Sequence, residues 1–155
     1  MTATKAQAES YLATKVLTAS PAELRLMLLD GAIKFARQGR DALAAKDYEG
    51  MFKGFTRTRE ILVELSTTMR RDVGDPTLVE RTQALYTFMM TRLLDASHDK
   101  DVAPADEVIK LIEYDRETWA LLMDQLASEQ RPGTGSYQPQ PNAQANSYTP
   151  FTAHG

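Results

Sequence analysis

The chain has 155 residues, 43% of them hydrophobic and 25% charged, with no cysteine and a net charge of −3. That length suits one domain with a single sizeable core, and the lack of cysteine excludes disulfide staples and thiolate metal sites. An acidic balance is a poor match for a phosphate backbone, so no nucleic-acid partner is expected.

The elements can be taken in chain order. Residues 1–10 lack the uninterrupted apolar stretch of a signal peptide, and no later run reaches the length of a membrane span. The chain is therefore expected to stay in the cytosol, without direct membrane insertion. Residues 4–17 form a weak amphipathic stretch carrying Tyr11, Leu12, Val16 and Leu17, read as a short helix or arm within residues 1–20. Ser20-Pro21-Ala22-Glu23 then reads as a capping box with proline at the first helical position. Leu24, Met27, Leu28, Gly31, Phe35, Ala42 and Leu43 follow at helical spacing, which predicts a helix over residues 21 to about 45.

Asp47 is the next candidate cap. Tyr48, Met51, Phe52, Phe55, Ile61, Leu62, Leu65 and Met69 trace a second long helix, weakened in propensity by Gly50 and Gly54 and broken at Val73-Gly74. Asp75-Pro76 repeats the cap-then-proline signal, and Leu78, Leu85, Tyr86, Met89, Leu93 and Leu94 mark a third helix to about Ser97. After a polar turn over residues 98–101, a fourth helix runs through Val108, Ile109, Ile112, Trp119, Leu122, Met123 and Leu126. Pro104 is tolerated in its first turn.

Four long helices joined by short turns predict an all-α fold, an antiparallel four-helix bundle over residues 21–130. The tail, residues 131–155, is rich in Pro, Gln, Asn, Ser, Thr and Gly and has no carboxylate. It cannot bury enough apolar area to offset the entropy of ordering, so it is expected to be disordered.

Enzymatic chemistry finds little to stand on. A di-iron bundle needs Glu-x-x-His pairs, and the only histidines, His98 and His154, lie in a turn and at the chain end. The acidic pairs Asp99/Asp101 and Asp106/Glu107 lack the spacing of a calcium loop and read as helix caps and surface charge. No phosphate loop or nucleophile elbow is present. The expectation is a non-enzyme with no cofactor and no metal.

What remains is an apolar surplus. Leu26, Leu29 and Ile33 widen the stripe of the first long helix beyond one seam, and Leu85-Tyr86-Thr87-Phe88-Met89-Met90 is apolar over more than a turn. Such a helix either packs on two sides or leaves a groove exposed.

At Thr18-Ala19-Ser20-Pro21, Leu24 and Met27-Leu28-Leu29-Asp30-Gly31-Ala32-Ile33-Lys34-Phe35 the chain resembles the flagellar secretion chaperones of the FliS family. The resemblance continues through Lys46-Asp47, Arg59-Glu60-Ile61-Leu62-Val63-Glu64-Leu65, Leu85-Tyr86, Arg92-Leu93, Ala96, Asp101, Glu107-Val108 and Trp119, with Tyr11 matching an N-terminal tyrosine. The family usually has tyrosine at the place of Leu29.

The resemblance implies a bundle that binds the disordered C-terminal segment of flagellin. It would prevent premature polymerisation and deliver the subunit to the flagellar type III export apparatus. On that basis Leu29, Ile33, Leu62, Leu65, Tyr86, Met89 and Leu93 are expected to line the flagellin-binding groove, in helix-in-groove fashion. Leu24, Leu28, Phe35, Phe55 and Trp119 are expected in the core. Tyr11 has two readings, docking the arm on the bundle or touching the export gate. A groove that takes a client helix can equally pair with a second copy, so a homodimer stays open. The runner-up is a helical adaptor for another secreted or regulatory protein.

Overall fold

The computed structural model describes residues 2–72 and 75–130, and all five of its elements are helices: α1 (Thr2–Thr18), α2 (Pro21–Ala44), α3 (Tyr48–Asp72), α4 (Pro76–Asp99) and α5 (Val102–Gln130). The expected break at Val73-Gly74 and the expected tail over 131–155 lie outside the described residues. Residues up to Leu121 form one compact unit, and the remainder of α5 belongs to a second, in which Leu122 and Leu126 are exposed.

Local chemistry sets the helix ends. Ser20 Oγ accepts from the Glu23 amide at 3.1 Å and Glu23 Oε2 accepts from the Ser20 amide at 3.2 Å, which completes the capping box. Lys46 takes a positive φ of 62°, turning the chain so that Asp47 can accept from the Gly50 amide at 3.0 Å. Asp75 accepts from the amides of Thr77 and Leu78. Lys100, at φ 53°, ends α4, and Asp101 accepts from the Ala103 amide as α5 begins.

Helices α2 to α5 run alternately up and down. Arg25 meets Thr68 and Gly39 meets Gly54 across α2 and α3, so these two are antiparallel. Gln83 of α4 donates to the Ser66 carbonyl of α3. Arg92 pairs with Glu107 across α4 and α5. The ring closes where α5 meets α2, through Arg37 with Glu113, Arg40 with Asp106 and Arg116 with Asp30. These pairs are partly exposed and screened by solvent, so their main effect is on register.

The core gathers Leu29, Ala32 and Leu43 of α2, Met51, Phe55, Leu62 and Leu65 of α3, Tyr86, Met89, Leu93 and Ala96 of α4, and Ala105, Val108 and Ile112 of α5. Small residues decide how α2 and α3 pack. A Cβ on Gly54 would lie 2.5 Å from the Gly39 amide nitrogen and 2.8 Å from the Phe35 carbonyl oxygen. The two backbones therefore approach closely only because neither position carries a side chain. Gly54, expected to weaken its helix, is what lets that helix dock.

α1 is different. Its described side chains are exposed from Thr4 to Thr18, and Tyr11 is 69% exposed. None of these described side chains is buried on the bundle in this conformation, Tyr11 included.

Candidate functional site

The residues expected to line a groove sit elsewhere. Leu29, Leu62, Leu65, Tyr86 and Met89 have no exposed surface, Leu93 is 3% exposed, and Ile33 is half-buried against the same core. The six buried side chains offer no surface to a client in this conformation and hold the bundle together, while Ile33 keeps part of its surface exposed. The expected core residues are also redistributed. Phe55 is buried and Leu28 and Trp119 pack against the core, whereas Leu24 and Phe35 are only half-buried.

Tyr86 and its surroundings form a buried polar cluster that the sequence did not reveal. Tyr86 Oη donates to Asp115 Oδ2 at 2.6 Å. Burial, reinforced by the Asp115 carboxylate, raises the phenol well above its ordinary value. Burial likewise raises the Asp115 carboxyl, while the Tyr86 hydrogen bond and the Arg25 charge pull it back part of the way. Arg25 is 5% exposed, donates through Nη2 to Thr68 Oγ1 at 3.3 Å, and lies 4.9 Å above the Trp119 ring, with Nη1 buried and without a hydrogen-bond partner among the described residues.

An open cleft does exist, between α3 and α4. α3 contributes Phe52, Phe55, Thr56 and Arg59, and α4 contributes Met90, Leu93, Leu94 and Ser97. Phe55 and Leu93 are its buried floor, while Phe52 and Leu94, 67% and 59% exposed, stand in its walls. Of the seven expected groove residues, Leu93 alone lines this cleft. Phe52, Phe55 and Arg59 follow one another at spacings of three and four residues, and Met90 is three and four residues from Leu93 and Leu94 as they are from Ser97, so one face of each helix meets the other across the cleft. The signal was present in the sequence, but Phe52 and Leu94 are indistinguishable there from core members of the same stripes.

A second depression lies over α2 and α3, where Phe35 has the Arg57 guanidinium 5.0 Å and the Lys34 ammonium 5.5 Å from its ring centre. The acids considered for metal binding are otherwise engaged. Asp99 lies beside His98, Asp101 caps α5, Asp106 holds Arg40 and Glu107 holds Arg92. Hydrogen bonds to these carboxylates, followed by their charge for Arg40 and by Asp95 for Arg92, raise both guanidiniums above their ordinary values.

An up-and-down arrangement of helices with an apolar cleft open at its surface places the chain in the class of all-α helical bundles. The particular family follows from comparison. Residues 3–126 match the family described as Flagellar protein FliS, and the chain belongs to that family. It is 31% identical over 110 residues to the flagellar secretion chaperone FliS of Bacillus subtilis (strain 168), covering 71% of this chain and 80% of the relative. It is 29% identical over 119 residues to that of Escherichia coli (strain K12), covering 75% and 85%. With that of Vibrio cholerae serotype O1 it shares 25% identity over 106 residues, covering 68% and 77%. The family is non-enzymatic. No helix among the described residues is long and apolar enough to cross a membrane.

Proposed function

We propose that this chain is a cytosolic chaperone for flagellin, holding the C-terminal segment in the α3–α4 cleft and delivering the subunit to the flagellar type III export apparatus. Membership of the secretion-chaperone family supports the role, and the observation that carries the site is the exposure of Phe52 and Leu94 above a floor of Phe55 and Leu93. An unfolded amphipathic segment aggregates, or joins another subunit, by burying its apolar stripe. A cleft with apolar walls competes for that stripe while it is still free. The client must be ordered as it binds, which keeps the net affinity moderate and release feasible. The exposed Tyr11 on α1 is the residue assigned to the export gate in this reading.

The test is calorimetric titration of the flagellin C-terminal segment into the protein and into its Phe52→Ser, Leu94→Ser double variant. Burying one such side chain contributes about 1.5–3 kcal/mol, so affinity should fall at least roughly tenfold. Because both side chains already face solvent, thermal unfolding should hardly move. Undiminished affinity in the double variant would reject the cleft as the client site.

A further inference from the structure

The α3–α4 cleft is largely apolar, with the hydroxyls of Thr56 and Ser97 and a single charged side chain among its lining. Arg59 stands in its α3 wall, exposed, and among the described residues it makes no ion pair. That sets it apart from the arginines along the α2–α5 and α4–α5 seams, where Arg37, Arg40, Arg92 and Arg116 each hold a carboxylate of the neighbouring helix. The acid next to it in sequence, Glu60, projects about 100° further round the helix. Asp95 of α4 is taken by Arg92. A guanidinium placed beside Phe52 and Leu94 in a protein of net charge −3 is a cation left for something else to pair with.

We propose that the cleft selects an amphipathic helix carrying a carboxylate on the edge of its apolar stripe, and that Arg59 reads that carboxylate. The proposal rests on the client reading of the cleft and specifies the chemistry of the client. A helix lying in the cleft turns its apolar residues toward Phe55 and Leu93, so the residue bordering its stripe comes to the rim, within reach of the Arg59 fork. Guanidinium binds carboxylate with two parallel hydrogen bonds, which fixes the register and direction of the incoming helix as well as its composition. Apolar walls on both sides exclude water from the pair and strengthen it relative to one on an open surface. An oily cleft alone would accept any apolar stripe, and discrimination needs a group that is wasted on the wrong partner.

The experiment uses the full chain and two isomeric synthetic helical peptides, titrated by calorimetry at low and moderate salt. Both carry the same leucine stripe. In one a glutamate borders the stripe, and in the other that glutamate is exchanged with a glutamine on the far polar face. The edge-glutamate peptide should bind roughly threefold to tenfold more tightly, with the advantage shrinking as salt rises. Arg59→Gln should erase the preference, and Arg59→Glu should transfer it to a third peptide with lysine at the edge position. Circular dichroism checks that these exposed-site variants stay folded. If Arg59→Gln keeps the preference while Phe52→Asp abolishes binding of both peptides, the cleft stands and the carboxylate readout is refuted. If Phe52→Asp binds both as before, the client reading of the cleft fails and takes this proposal with it. A dimer that Phe52→Asp dissociates and neither peptide displaces would also overturn it, by giving the cleft to a second copy.

Discussion

Two glycines on facing helices should respond to the same substitution with opposite signs. At Gly54 an added Cβ would sit 2.5 Å from the Gly39 nitrogen, 2.6 Å from the Gly39 Cα and 2.8 Å from the Phe35 carbonyl oxygen. All three are backbone atoms, so no side chain can rotate out of the way, and α3 must move off α2 by about 1 Å to restore ordinary contact. A gap of roughly 0.5–1 Å forfeits a quarter to a half of each dispersion contact it opens. Overpacking of this kind costs about 1–3 kcal/mol, offset in part by about 1 kcal/mol of helix propensity gained on replacing glycine with alanine. Gly54→Ala is therefore expected to lose up to about 2 kcal/mol. At Gly31 the nearest atom to an added Cβ is Ile61 Cδ1 at 3.4 Å, an ordinary contact with the end of a flexible side chain. Gly31→Ala should gain up to about 1 kcal/mol from the reduced entropy of the unfolded chain. Urea unfolding followed by far-UV circular dichroism measures both. A Gly54→Ala variant that gains stability as Gly31→Ala does would refute the argument that the missing side chains set the α2–α3 distance.

The buried residues give further expectations. Met89→Ser should lose about 2–5 kcal/mol in the same unfolding assay, because Met89 has no exposed surface and its removal leaves a cavity. A loss below about 1 kcal/mol would mean that the site faces solvent. Tyr86→Phe leaves Asp115 Oδ2 without its donor and should lose about 1–3 kcal/mol at neutral pH. Asp115→Asn should change stability in a pH-dependent way. The Asp115 carboxyl titrates higher in the folded protein than in the unfolded chain, where it is near the usual value of about 4, because burial disfavours its charge. Between those two values the folded state binds more protons, so this group's contribution is full at low pH and is lost as pH rises through the folded value. Asparagine stays neutral and can still accept from Tyr86. The variant should gain on the parent as pH climbs from about 4 toward neutrality, and a stability difference that is flat with pH would refute the sign.

The helix ends could be read from the sequence because each depends on local chemistry: Ser20 with Glu23, Asp47 with Gly50, and Asp75 ahead of Pro76. That most of the expected groove residues are buried has an equally physical reason. The face of α2 that turns inward carries Arg25, Leu29, Ala32, Ala36, Gly39 and Leu43, mostly small residues and one arginine. Hydropathy places the inward face where the bulk is, at Leu24, Leu28 and Phe35, which are only half-buried beside that face. A buried arginine can be recognised only once Trp119, Thr68 and Tyr86 have been brought round it by three other helices.

The sequence by itself determined the helical class, the four long helices, their caps and the family, since these rest on spacing and on neighbours within a few residues. Which apolar side chains are sealed and which stand open was decided only by the tertiary structure. Phe52 and Leu93 are equally oily and equally periodic. Their difference lies in how closely α3 approaches α4 at that height in the bundle, and no stretch of either helix contains that distance.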